Sequence, residues 1–299
     1  MKLFAPEYYK DFTCIADKCR HSCCIGWEID IDPETAKKYG SLVGRYSESI
    51  KNSITASGDT TSFRLTKSQR CPHLDENGLC KIITELGQGF LCEICREHPR
   101  FYNKTSIGLE VGIGMACEEA CRIILSSDGY DKMIPIGDIV NEEHVPLFDA
   151  VKPRERIFAL LKDGQSRYRE KVSTLAHDFG FTDVLRSSDR LKVLFASLEY
   201  LNEENRELFC SYSYEDTVPQ SLEKPLTRSL AYFIYRHCSC AESERDFAAS
   251  LGFCLAVQEL MLHIAKRTQQ SLCDIARVIS EELEYSEDNT EQIKLEFIM

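Results

Sequence analysis

The sequence predicts a mainly α protein in two parts. Residues 1–130 form a Cys-rich, irregular N-terminal region with short strands, and residues 131–299 form a helical domain. Three observations carry this expectation. Ten of the fifteen cysteines fall within the first 121 residues. Near residue 130 the hydrophobic pattern changes from short alternating runs to spacings of three and four. With 299 residues, 43% of them apolar, the chain can bury an ample core and has the length of two ordinary domains.

The elements follow from local pattern. Trp27, Ile29 and Ile31 alternate with Glu28 and Asp30, and Ile107, Leu109, Val111 and Ile113 alternate with smaller or polar residues. Both runs read as short strands or extended, ligand-bearing loops. Segment 51–70, with Ser, Thr and Gly around Asp59, reads as a hairpin or loop between two cysteine groups. Ile157, Leu161, Tyr168, Val172, Leu175 and Phe179 recur as one face of an amphipathic helix. Leu191, Leu194, Phe195, Leu198 and Leu201 mark a second helix. Pro225 suits the first turn of a third, whose buried side carries Leu226, Leu230, Phe233, Ile234 and His237. Phe247, Leu251, Leu255 and Leu262 make a fourth, and Ser271 caps a fifth through Leu272, Ile275, Ile279 and Leu283. The acid-rich stretch from Glu281 to Glu296 is expected to be a solvated helix end.

Charge narrows the function classes. The net charge is −12, and the surplus sits mostly in the second part: residues 1–130 carry 16 Lys and Arg against 18 Asp and Glu, residues 131–299 carry 20 against 30. An acidic domain repels phosphate backbones, so no nucleic-acid partner is expected. The opening MKLFAPEYYKDF places Glu7, Lys10 and Asp11 where a signal peptide needs an apolar stretch, and no segment is expected to reach the apolar length of a membrane span. A cytoplasmic protein without a membrane partner is the expectation, and there disulfides seldom persist.

The cysteines come in local groups: Cys14, Cys19, Cys23 and Cys24; Cys71 and Cys80; Cys92 and Cys95; Cys117 and Cys121. Thiolates bind soft or borderline metals, and close spacing makes gathering them around one centre cheap in chain entropy. Buried thiols acting as small hydrophobes would be scattered rather than concentrated in the first two fifths of the chain. Metal or cluster ligation is therefore favoured over a disulfide framework. His21, His73 and His98 sit inside the cysteine strings and are expected to hydrogen-bond near a centre rather than to ligate it. Arg96 and Arg100, flanking Pro99, either donate to sulfurs or pair with acids, and Trp27 is expected to cover the centre. Gly108, Gly112 and Gly114 read as turn or close-packing positions, not as a nucleotide loop.

The strings LFAPEYYKDFTC, CRHSCCIGWEIDID, CPHLDENGLC, LCEICREHPRF and GMACEEACRIIL, in this order over residues 1–126, resemble the flagellin lysine N-methyltransferase family, which carries a Cys-rich region related to zinc- or iron-chelating domains. By that resemblance the ligand cysteines are Cys14, Cys19, Cys23, Cys24, Cys71, Cys80, Cys95 and Cys117. Cys92 and Cys121 fall where the family requires no cysteine, and Glu118 stands where a Pro is usual. The resemblance implies methylation of flagellin lysines with S-adenosylmethionine by a protein holding an iron-sulfur cluster. All-thiolate ligation suits a 4Fe-4S cluster, and zinc is the alternative metal. No cysteine triplet has gaps of three then two residues, because Gly26 and Ile124 occupy the third places, so radical chemistry is disfavoured. Polar transfer needs a neutral amine, whereas a free lysine titrates near ~10.4. Tyr232, Tyr235 and His237 are candidates for a desolvating channel, weighed against ordinary core roles. The pattern names no catalytic or donor-binding residue. The competing reading is a non-enzymatic zinc- or iron-binding interaction module.

Overall fold

The computed structural model describes residues 1–58, 60–139 and 146–298, so Asp59 lies outside the described residues. The chain is 54% helix and 12% strand, with the short strands in its N-terminal half and a helical C-terminal part, the class the sequence predicts. In chain order the elements are β1 (Lys2–Pro6), α1 (Pro33–Gly40), α2 (Ser47–Ser53), β2 (Ile54–Ser57), β3 (Thr60–Phe63), α3 (Lys81–Leu86), α4 (Glu93–Glu97), β4 (Arg100–Thr105), β5 (Gly108–Ile113), α5 (Glu118–Ser126) and β6 (Met133–Asp138). There follow α6 (Val151–Lys162), α7 (Tyr168–Asp178), α8 (Thr182–Arg186), α9 (Ser188–Ser197), α10 (Glu203–Cys210), α11 (Gln220–Cys238), α12 (Glu244–Arg267), α13 (Leu272–Ile279) and α14 (Glu287–Leu295). The chain divides into two compact units, one of Thr13–Arg100 and one of Met1–Phe12 with Phe101–Met299.

The smaller unit holds β2 and β3 as an antiparallel hairpin, pairing Ile54 with Phe63 and Ser57 with Thr60. The alternating run at residues 27–31 is extended beside it rather than a named strand: Asp30 bridges Ser62, and Ile29 and Ile31 are buried. Helix α1 starts where the sequence caps it, with Pro33 in the first turn and Asp32 Oδ1 accepting the Thr35 N–H at 2.9 Å. Ile29, Ile31, Tyr39, Ile50, Phe63, Ile82, Cys71 and Cys92 make its core.

In the larger unit, β1 is an inner strand of a four-stranded sheet of order β4, β5, β1, β6. It runs parallel to β5, with Phe4 opposite Glu110, and antiparallel to β6. In sequence, the whole smaller unit falls between β1 and β4. At Gly108, φ is +141° and an added Cβ would lie 2.5 Å from the Lys2 carbonyl oxygen, so this turn position accepts only glycine without strain.

Several local expectations need correction. The single helix through Ile157 and Phe179 is two helices, α6 and α7, because Asp163 accepts hydrogen bonds from Gln165 N–H and Ser166 Oγ and closes a turn between them. Leu201 is 67% exposed and lies beyond the end of α9. Helix α11 begins at Gln220, which puts Pro225 in its second turn instead of its first. The stretch after Glu281 is not a solvated end. Glu282 and Glu284 are buried, and Ile293 and Phe297 enter the core. Glu282 accepts from the N–H of Leu201, from the N–H of Asn202 and from Asn205 Nδ2, which repays its desolvation. Helix α12 is, by length and a mean hydropathy of 1.5, apolar enough to cross a membrane, against the expectation that no segment is. Here 94% of that window is buried, and α7, α8, α10, α11, α13 and α14 all touch it. It is the core helix of this unit.

A buried ion pair ties the sheet to the helices. Arg154 on α6 donates to both oxygens of Glu110 on β5, at 2.6 and 2.8 Å, and also to Ser239 Oγ just past α11. The two side chains are 2% and 0% exposed. Removing one partner leaves the other as an uncompensated buried charge, so Glu110→Gln should lower unfolding free energy by about 3 kcal/mol. Chemical denaturation of the full chain checks this. A loss near that of an exposed salt bridge, under about 1 kcal/mol, would mean the pair is dispensable.

Candidate metal centre

Five thiols gather in the smaller unit. Backbone pairing places them: the Cys71 N–H donates to the Cys24 carbonyl at 2.8 Å, Leu74 bridges Cys80, and the Lys81 N–H donates to the His73 carbonyl. The loop carrying Cys92 is pinned to α1, because Tyr39 Oη donates to the Phe90 carbonyl at 2.6 Å and Asp32 Oδ2 accepts the Glu93 N–H at 2.8 Å. Cys71 and Cys92 are buried in the core, with Cys24, Cys80 and Cys95 packed against it.

Burial and neighbouring thiols both shift their titration. Burial pushes the Cys71 thiol up to about 12, and Cys24, Cys80 and Cys92 add to the rise. Burial likewise raises Cys80, with Cys24 and Cys92 contributing. A hydrogen bond with Cys23 brings Cys24 down to about 7 against its burial, helped by Ser22 and Arg70. Cys92 and Cys95 share a hydrogen bond that lowers Cys92 and raises Cys95, so the pair holds one proton more readily than two negative charges.

Of the eight cysteines given by resemblance, Cys24, Cys71, Cys80 and Cys95 thus come together, joined by Cys92. Cys23 adjoins Cys24, Cys19 is half-buried, and Cys14 is exposed. Cys117 lies in the larger unit at the N-cap of α5, where it and Cys273 act on the buried Cys121. The donor chemistry of the five thiols fits a soft metal or an iron-sulfur group. Among the described residues, no three His, Cys, Asp or Glu side chains stand in metal-holding geometry. The thiols are packed in and against one small core.

His73 has both ring nitrogens engaged, Nδ1 with Tyr46 Oη at 2.7 Å and Nε2 with Ser53 Oγ at 2.8 Å, which fits a supporting role. Arg96 meets Glu97 at the surface, and Trp27 is half-buried. Gly112 is the close-packing position expected of it, since a Cβ there would lie 2.2 Å from the Phe101 ring.

The residues Tyr232, Tyr235 and His237 belong to core networks, a fate their spacing on one helix could not distinguish from a channel. Tyr232 Oη donates to Glu284 and accepts the Met115 N–H at 3.1 Å. Arg236 donates to that same oxygen and lies between the Phe101 and Tyr285 rings. The Tyr235 ring faces the Arg154 guanidinium. His237 Nε2 meets Glu284 Oε1 at 2.7 Å. Glu284 ends a π-helical turn, Ser280–Glu284, that the acid-rich sequence did not betray.

This network has a pH signature. Burial lowers the His237 pKa, with Arg236 and Lys294 assisting and Glu284 opposing. Burial raises Glu284, but Arg236 and His237 outweigh it and hold the carboxylate below its usual range. The unfolded chain therefore binds the proton more readily, and stability contributed by neutral His237 is full above about pH 6.5 and drains as pH falls toward its folded value. His237→Gln keeps a side-chain donor but removes this titration, so its melting temperature should fall less steeply than the wild type's between about pH 7 and about pH 5. Parallel melting curves across that range would show that His237 does not carry the effect.

No protein-family profile matches the chain, and no solved structure matches it. Among curated proteins it is similar to lysine-directed methylases and to a flagellar protein. The Lysine-N-methylase of Salmonella choleraesuis (strain SC-B67) is 28% identical over 163 residues, 52% of this chain and 40% of that protein, and the Lysine-N-methylase of Salmonella typhimurium (strain LT2) matches to the same extent. The Flagellar biosynthetic protein FliU of Salmonella muenchen is 28% identical over 127 residues, 40% of this chain and 75% of that protein. The match thus spans two fifths of the length of either methylase.

Proposed function

We propose that this chain is a lysine-directed protein methyltransferase of the cytoplasm that acts on flagellin, takes its methyl group from S-adenosylmethionine and carries an iron-sulfur cluster, with zinc as the alternative metal. The observation that carries the reading is the similarity to two lysine-N-methylases over 163 residues, and the flagellar relative supports the choice of substrate. S-adenosylmethionine supplies an electrophilic methyl carbon on a sulfonium. For its own part, the chain offers thiols in or against one small core: Cys24, Cys71, Cys80 and Cys95 would hold the metal group and join separate segments of the smaller unit. Such ligation contributes folding free energy, which makes a supporting role the preferred one, with methyl transfer elsewhere by a polar route.

Incubating anaerobically prepared protein with S-adenosylmethionine and flagellin should raise the mass of flagellin in single-methyl steps, all on lysine. A metal-loaded preparation that leaves flagellin unmodified and binds neither molecule would sink the enzyme reading. In the same preparation, Cys95→Ser should lower iron content, melting temperature and methylation together. Loss of methylation alone, with iron and stability intact, would move the cluster from support into the chemistry.

A further inference from the structure

The smaller unit has a thin core. Two of its eight buried hydrophobic residues are cysteines, Cys71 and Cys92, and Cys24, Cys80 and Cys95 pack on the rim of the same core. Leu or Val at these places would bury more apolar surface, so packing alone gives no reason to concentrate sulfur there. Small cores commonly gain their missing stability from a staple such as a bound metal.

Within this group Cys92 stands out, because the family pattern requires no cysteine at its place. Yet it is 1% exposed, more deeply buried than Cys71. It is the N-cap of α4, and Cys95, one helical turn on, packs against the same core. Its loop is held by three hydrogen bonds to α1 and its cap, with Tyr39 and Lys38 reaching the Phe90 and Gly89 carbonyls and Asp32 accepting the Glu93 N–H. By contrast, Cys14 is exposed, outside this core.

We infer that Cys92 is a ligand of a thiolate metal centre in the smaller unit, shared with Cys95 and drawn from the group Cys24, Cys71, Cys80, Cys92 and Cys95, and that Cys14 is not. The centre takes a soft or borderline ion, zinc or cadmium, or iron with sulfide, through sulfur alone. This deepens the metal-holding part of the proposed function and is independent of methyl transfer.

Cadmium titration of the full chain under reducing, anaerobic conditions tests it, because charge-transfer absorption counts Cd–S bonds. With four sulfur ligands, Cys92→Ser should lower that absorption by about a quarter and weaken binding at least about tenfold, while Cys14→Ser titrates as wild type. Cys92→His, which offers an imidazole in place of the thiol, should recover binding with one Cd–S bond fewer. Since Cys92 is a core residue and its variants can fail to fold, the wild-type chain supplies a second reading. Pulsed alkylation followed by mass spectrometry should show Cys92 reacting at least about tenfold more slowly with cadmium bound, while exposed Cys14 and the buried Cys254 of the larger unit change little. Equal titration by wild type and folded Cys92→Ser, equal alkylation of Cys92 with and without cadmium, or a wild type that forms no Cd–S bonds would each overturn the assignment. Flagellin methylation is measured separately, so a chain that holds cadmium through Cys92 yet transfers no methyl group retains this inference and loses only the enzyme reading.

Discussion

The larger unit is organised around one buried charge pair. Glu110 sits on β5 opposite Phe4 of β1, and its carboxylate meets Arg154 of α6 in a bidentate clasp that also reaches Ser239 at the end of α11. Sheet, first long helix and central helical hairpin therefore share one electrostatic fixed point. A buried pair of this kind is a poor source of net stability, since desolvating two ions offsets most of their attraction. Its value is directional: a guanidinium fork satisfied by a carboxylate accepts few alternative arrangements, and hydrophobic contact on β5 alone would tolerate many. The Tyr235 ring over the guanidinium and the Phe158 ring on its other flank keep water away and so enforce the pairing.

The smaller unit is organised differently. Its elements are short and its apolar core small, and much of its order comes from backbone groups answered by particular side chains. Asp32 caps α1 with one oxygen and holds the start of α4 with the other. His73 bridges Tyr46 and Ser53 from inside the core. The five thiols lie in and against the core that these tethers surround, although their positions in sequence span residues 24 to 95. The three sulfurs of Cys117, Cys121 and Cys273 show the same chemistry in the larger unit, between α5 and α13.

Local chemistry was the legible part of the sequence. The hairpin pairing of residues 54–57 with 60–63, the cap at Ser271, the glycine turn at Gly108 and the helical texture after residue 150 were all readable, because each depends on residues within a few positions of one another. What escaped depends on distant partners. Nothing near Glu282 or Glu284 announces that Asn205, Tyr232 and His237 will receive their carboxylates, so an acid-rich stretch looked solvated. Helix α12 looked amphipathic from four leucine and phenylalanine positions, yet its intervening residues are buried as well, because helices cover it on several sides. The thiol group was legible as a composition, while its membership was not. Resemblance left Cys92 aside, and the fold buries it in the core that Cys24, Cys80 and Cys95 pack against.

The position of β1 gives the chain an unusual assembly order. Residues 2–6 are synthesised well before either partner, since their parallel partner lies at residues 108–113 and their antiparallel partner at residues 133–138. Between them comes the whole smaller unit, which can gather its own hairpin and thiols while β1 has nothing to pair with. The sheet closes only after both flanks have been synthesised, a long-range step that is slow by its nature. Until then β1 is a strand without partners, and a row of unanswered backbone groups is what invites wrong pairing with another chain.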